Sequence, residues 1–244
     1  GVFDQAIARL RTERGWRIAA RCGRAVVFAS GLAATPILAT ASGCVLIGRS
    51  LCGHGRSGVS AVEAMPADLP GARRAEHLLS EVWGEFVALI DDGAGDMQLL
   101  RDPSGAVECL TWRTREGIDV AAPDLAVTPD WLQPPRLSLN WDRIAAFLNA
   151  TSAQASERLF DGLLCLPPGG IAPLGGESKP ALAWRPSTWV RNPVGDIPAA
   201  EAELVRRVDR ATSGLVGSHD RVVFELSGGL DSSILAMSLA HTGE

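Results

Sequence analysis

The chain comprises 244 residues, of which 46% are hydrophobic and 21% charged, enough apolar material for a sizeable core and more than one small domain usually needs. That balance excludes collagen, coiled coil and intrinsic disorder. A formal charge of -5 offers no general attraction to phosphate backbones or anionic membranes, so neither nucleic acid nor a membrane is an expected partner.

Lys179 is the sole lysine, and any chemistry needing one has that single candidate. The five cysteines (Cys22, Cys44, Cys52, Cys109 and Cys165) are odd in number and form no C-x-x-C pair, as expected in a reduced, cytoplasmic compartment. The longest apolar run, Ala25 to Ala39, is broken by Gly31 and Pro36 and is too short to span a bilayer. The N-terminus lacks the layout of a secretory signal, and because it begins at Gly1 some trimming is expected.

From Ala25 to Trp112 the pattern predicts short β-rich elements separated by glycine turns, with one helical passage near Ala75 to Trp83. Phe86 to Ile90 and Met97 to Leu100 read as a hairpin across the turn Asp91 to Asp96, with a third strand at Cys109 to Trp112. A layered antiparallel sheet with few helices follows. From Asp142 the spacing becomes helical (Ile144, Phe147, Leu148) behind a cap at Asn140, and the helix is expected to give way at Leu166-Pro167-Pro168-Gly169-Gly170. Pro186 to Pro198 is a candidate linker. Beyond it, Ile197, Leu204, Val205, Val208, Ala211, Leu215 and Val216 share a helical face, with Asp196 as cap and Pro198 in the first turn. Val222 to Leu226 is a nearly continuous apolar run, predicting a strand covered on both faces.

The most informative residues follow that run: Leu226-Ser227-Gly228-Gly229-Leu230-Asp231-Ser232-Ser233, ahead of a helical pattern at Ile234, Leu235, Met237, Ser238 and Leu239. Strand, glycine turn and helix make an anion-binding layout. Paired glycines let backbone N–H groups approach phosphate oxygens, the hydroxyls of Ser227 and Ser232 add donors, and the helix start adds partial positive charge. A carboxylate does not attract phosphate, so Asp231 is expected to hold a magnesium ion that bridges to it. The bland alternative is a Gly-Gly turn capped by Asp231 and Ser232. No lysine lies nearby, which excludes a G-x-x-x-x-G-K-[ST] phosphate loop.

The motif S-G-G-L-D-S-S resembles the pyrophosphate loop of the ATP pyrophosphatases, which split ATP to AMP and pyrophosphate while adenylating a substrate. Upstream, Trp83-Gly84-Glu85-Phe86 with Ala88-Leu89-Ile90-Asp91, the turn Leu100-Arg101-Asp102-Pro103-Ser104-Gly105, the pair Leu159-Phe160-Asp161-Gly162 and Leu166-Pro167-Pro168-Gly169, and Trp184-Arg185-Pro186 are similar, in that order, to the glutamine amidotransferase domain of the asparagine synthetase family. The resemblance implies an α+β N-terminal domain of layered antiparallel sheets, amidotransferase-like, over residues 1–190. The start of an α/β ATP pyrophosphatase domain would follow over 191–244, with Leu226, Ser227, Gly228, Gly229, Leu230, Asp231 and Ser232 holding ATP and Asp231 the Mg2+.

Glutamine-using members carry a cysteine nucleophile at the mature N-terminus. Here Gly1 stands there, Cys22 lies too far in, the glutamine-holding N-G-E segment is not recognisable around Gly43 to Gly55, and Glu108-Cys109-Leu110 replaces P-L-Y. The catalytic groups are therefore unknown. The resemblance points to relatives that draw their amine from the substrate: lasso peptide cyclases first, with a precursor peptide as substrate and a leader-peptide-binding protein and leader peptidase as further partners. β-Lactam synthetases and a glutamine-independent asparagine synthetase are alternatives, and a non-catalytic docking fragment is a reading from another class. The chain stops about one helix after the loop, so it is expected to be truncated and not active alone.

Three lesser groups are weighed with their structural alternatives. Cys44, Cys52 and His54 fit no zinc spacing, Asp91, Asp92 and Asp96 read as a solvated turn, and Glu225 is either a support near the nucleotide or an exposed edge residue.

Overall fold

The computed structural model describes residues 1–31, 35–40, 43–52, 56–57, 69–149, 159–175, 179–188, 190, 195–217 and 219–242. In chain order the elements are α1 (Val2–Thr12), β1 (Trp16–Cys22), β2 (Ala25–Ser30), β3 (Ile37–Thr40), β4 (Cys44–Cys52), β5 (Arg56–Ser57), α2 (Gly71–Glu81), β6 (Val82–Asp91), β7 (Met97–Arg101), β8 (Leu110–Arg113) and β9 (Asp119–Ala122). They continue with β10 (Ser138–Leu139), α3 (Trp141–Asn149), β11 (Phe160–Asp161), β12 (Leu164–Cys165), β13 (Gly170–Pro173), β14 (Ala181–Leu182), α4 (Ile197–Val216) and α5 (Leu230–Thr242). The protein is a mixed α+β molecule whose paired strands are all antiparallel among the described residues. No helix among the described residues is long and apolar enough to cross a membrane.

A seven-stranded sheet in the order β14-β13-β7-β6-β4-β3, with β5 also paired to β4, forms the middle layer. Its centre is β6, whose Phe86 to Ile90 are all buried because both faces are covered. Successive side chains alternate between two cores. Phe86, Ala88 and Ile90 join Cys44, Leu46 and Leu100 under Ala75 and Leu78 of α2. Val87 and Leu89 join Val45, Met97, Leu99 and Ala172 against Ala20, Cys22, Cys109 and Leu166, contributed by the strands of two smaller sheets and the loops beside them.

The predicted hairpin is present, with Val87 paired to Arg101 and Asp91 to Met97. Its turn is built as expected of Asp and Gly: Gly93 donates to Asp91 Oδ1, and Ala94 and Asp96 donate to Asp92 Oδ1. The helical passage lies earlier than predicted. It starts directly behind Pro70, whose carbonyl accepts from Arg74 N–H, and Trp83 belongs to β6 because pairing with β4 already begins at Val82 and Cys52. The third strand falls at Leu110–Arg113 and joins a separate sheet, β12-β8-β9. Pro103, which has no N–H, and Gly105 at φ +65° carry the chain out of the main sheet, and Trp112 Nε1 donates to Leu132 O at 2.6 Å to hold β8 in the second layer.

Helix α3 is capped as predicted, Asn140 Oδ1 accepting from Arg143 N–H at 3.1 Å. It does not run to Leu166; its described part ends at Asn149, and β11 and β12 precede the proline segment. Of the linker Pro186 to Pro198, Pro186–Thr188 is a 3-10 turn, while positions 189 and 191–194 lie outside the described residues.

Two expectations for the C-terminal part are corrected. Helix α4 forms, with Asp196 Oδ1 accepting from Ala199 N–H at 3.0 Å and Pro198 in the first turn. Its predicted apolar face is covered only toward the C-terminal end: Ile197, Leu204 and Val205 are exposed, Val208, Ala211, Leu215 and Val216 are half-buried, and Thr212 and Gly214 are buried. Val222 to Leu226 is not a strand. It has no ladder partner among the described residues, and Val223 is 98% exposed. An apolar run becomes a central strand only when neighbours supply both hydrogen bonds and cover.

Candidate functional site

The chain turns at Gly228, where φ is +79°, a conformation open to glycine, and enters α5 at Leu230. Gly229 N–H lies 3.4 Å from Ser227 Oγ, and the Ser227 and Ser232 hydroxyls are 3.1 Å apart. Ser232 Oγ donates to Gly229 O at 3.1 Å and Ser233 Oγ to the same carbonyl at 2.8 Å. The first hydrogen bond of the helix runs from Ser233 N–H to Gly229 O, so the N–H groups of Leu230, Asp231 and Ser232 lie in the unpaired first turn.

Leu226, Ser227, Gly228, Gly229, Leu230 and Asp231 are exposed and Ser232 half-buried. The turn and the helix start are thus brought together as predicted; the preceding strand is not. Ser233 was outside the predicted set, although it shares the Gly229 carbonyl with Ser232, and the serine doublet itself was the available signal.

Asp231 sits in the first turn of α5, where a carboxylate is favoured by the helix dipole. Among the described residues no group of three His, Cys, Asp or Glu side chains converges as a metal site.

All the upstream motifs but one meet at one place; the exception, Leu159 to Gly162, pairs through β11 with β10 in a separate sheet. Asp102 is 1% exposed, its carboxylate accepting from Phe86 N–H at 3.1 Å and Ser104 N–H at 2.7 Å, while its carbonyl accepts from Gly169 N–H at 3.1 Å. Arg101, 3% exposed, donates to Val107 O at 2.8 Å and Leu166 O at 2.7 Å, contacts Gly105 O, and pairs with Glu108 at 3.0 Å. Gly169 O in turn accepts from Ala183 and Trp184. The W-G-E-F strand, the R-D turn, the L-P-P-G segment and the W-R-P segment are therefore stitched together through buried polar atoms, each satisfied by backbone. Their chemistry in this arrangement is structural.

The other candidates separate. Cys44 and Cys52 stand eight residues apart on β4, roughly 26 Å along a strand, too far to share a metal; His54 lies outside the described residues. Burial pushes the Cys44 and Cys109 thiols up to about 12, and burial, with the Asp91 charge next, raises that of Cys22, whose Sγ donates to Gly43 O at 3.3 Å. These are neutral core thiols, not activated nucleophiles. Asp91, Asp92 and Asp96 form the solvated turn already described, with Asp96 paired to Arg24 at 2.9 Å. Glu225 is exposed, on chain that forms no strand and so has no sheet edge.

A scan against protein families and a search of curated proteins both find no match to this chain.

Proposed function

We propose that this protein takes part in ATP-dependent amide-bond formation, with Leu226 to Ser232 cradling the pyrophosphate half of ATP and Asp231 holding its magnesium. The observation that carries this reading is the turn itself: a left-handed Gly228 followed by a helix start with free N–H groups, beside two facing serine hydroxyls. The N–H groups of such a turn offer hydrogen bonds and partial positive charge to phosphate oxygens without a lysine, while the two hydroxyls, bonded to each other and, through Ser232, to Gly229 O, hold its shape.

In the proposed reaction a substrate carboxylate attacks the α-phosphorus of ATP, and pyrophosphate leaves, taking the electron pair of the broken P–O bond. An amine then attacks the acyl carbon, AMP departs and the amine proton is lost to solvent or a base. Magnesium, when bound, offsets charge on the pyrophosphate. The protein's part is to hold carboxylate and amine together.

The resemblance of the upstream motifs to an amidotransferase domain, and the convergence of all but Leu159 to Gly162 around Asp102, support a scaffold over residues 1–190 joined to an ATP pyrophosphatase unit over 191–244. Buried, neutral thiols support a non-glutaminase role for that scaffold. Among substrates we favour a precursor peptide whose N-terminal amine closes onto an Asp or Glu side chain, as in lasso peptide cyclases, working in the cytoplasm with a leader-peptide-binding protein and a leader peptidase. The intact protein should catalyse exchange of labelled pyrophosphate into ATP only when a peptide bearing an acidic side chain is present. No exchange with any acidic peptide would favour a docking role.

A further inference from the structure

Arg49 lies in β4, half-buried, and its side chain leaves the sheet toward the end of α4. One guanidinium nitrogen donates to Leu215 O at 2.5 Å, and the other contacts His219 Nε2. That contact needs an imidazole with its proton on Nδ1, so that Nε2 accepts. A cation at the carbonyl end of a helix also meets the negative end of its dipole. Beside it, Gly214 lets α4 approach the sheet closely: a Cβ there would lie 2.8 Å from the Trp83 ring and 3.0 Å from Leu51.

The strand is shaped for this reach. Gly48 and Gly84 have φ of +117° and +133°, and a Cβ on Gly84 would lie 2.5 Å from the Arg49 carbonyl oxygen. Helix α4 packs along α5, so the chain from His219 through the glycine turn lies between two packed helices, the first of which is held by Arg49.

We infer that Arg49 is a positioning residue that ties the end of α4 to the sheet and thereby sets the place of the Ser227 turn relative to the scaffold. The inference rests on the nucleotide reading for its consequence but not for its geometry. Loss of the tie lets the last turns of α4 and the first turns of α5 open together, while the sheet stays closed. Lysine at position 49 keeps a donor for Leu215 O but cannot also reach His219, because only the guanidinium forks.

The test is amide hydrogen exchange on the intact protein, wild type against Arg49→Ala, Arg49→Lys and Gly214→Leu, with Mg-ATP calorimetry in parallel. Arg49→Ala and Gly214→Leu are expected to speed exchange at least tenfold over 209–217 and 233–239, with amides of β6 and β7 unchanged and Arg49→Lys intermediate. Affinity for Mg-ATP falls in the same order. Equal exchange over 233–239 in wild type and Arg49→Ala, or loosening that spreads equally into β6 and β7, would overturn the inference. A wild-type protein that gives no heat with Mg-ATP overturns the nucleotide reading instead, and the exchange pattern still decides whether Arg49 ties the helix.

Discussion

Asp102 shows what a single buried side chain does here. Its two carboxylate oxygens occupy the N–H groups of Phe86 and Ser104 in a site with almost no solvent. Alanine leaves both donors without a partner, a loss of about 3 kcal/mol. Urea unfolding should show it as a lower midpoint with an unchanged slope; a shift below about 0.5 kcal/mol would contradict the role, since surface substitutions fall in that range. The thiols of Cys44 and Cys109 give a second test at this scale. Both titrate near 12 in the folded protein against an ordinary value of 9.0. The folded state therefore keeps protons that the unfolded chain releases, and stability is whole below about pH 9 and falls as pH rises toward 12. Denaturation at pH 8 and pH 10 should show the loss, and Cys44→Ala should flatten it; an equal pH slope in that variant would contradict the assignment. The type of these residues was legible in the sequence. Their role was not, because nothing in the R-D spacing says that the carboxylate turns back onto backbone.

Elements whose signal is local were read well. The hairpin of β6 and β7 has alternating apolar residues and an Asp-Gly turn; α3 and α4 have their caps at Asn140 and Asp196. Elements that depend on partners were read poorly. Val222 to Leu226 has the composition of a buried strand and lacks the neighbours, and the apolar face of α4 at Leu204 and Val205 has no cover among the described residues. Gly84 marks the boundary between the two cases. The glycine was visible as part of a motif, whereas its reason is the close approach of the Arg49 carbonyl at a φ of +133°. Gly84→Ala should cost about 1–3 kcal/mol of stability, measured by chemical denaturation. A neutral result would mean that β4 and β6 can move apart there.

At the scale of the molecule, a helix, a seven-stranded sheet and smaller sheets enclose two cores, and the glycine turn stands outside them on exposed chain between α4 and α5. Exposure is compatible with a site that gathers charged ligands, since phosphate oxygens and a hydrated magnesium ion need few apolar walls. The candidate site was legible because the chemistry proposed for it is contiguous: seven residues carry the turn, the hydroxyls and the carboxylate. Substrate contacts from distant segments leave no such trace. The central claim is tested most directly by titrating Mg-ATP into the intact protein in a calorimeter, beside Asp231→Ala and Gly228→Val. The account predicts saturable heat that either substitution weakens roughly tenfold or more, the scale of one lost charge-assisted interaction, with the folded state retained by circular dichroism. No heat from the wild-type protein, or equal affinity in all three, would contradict it.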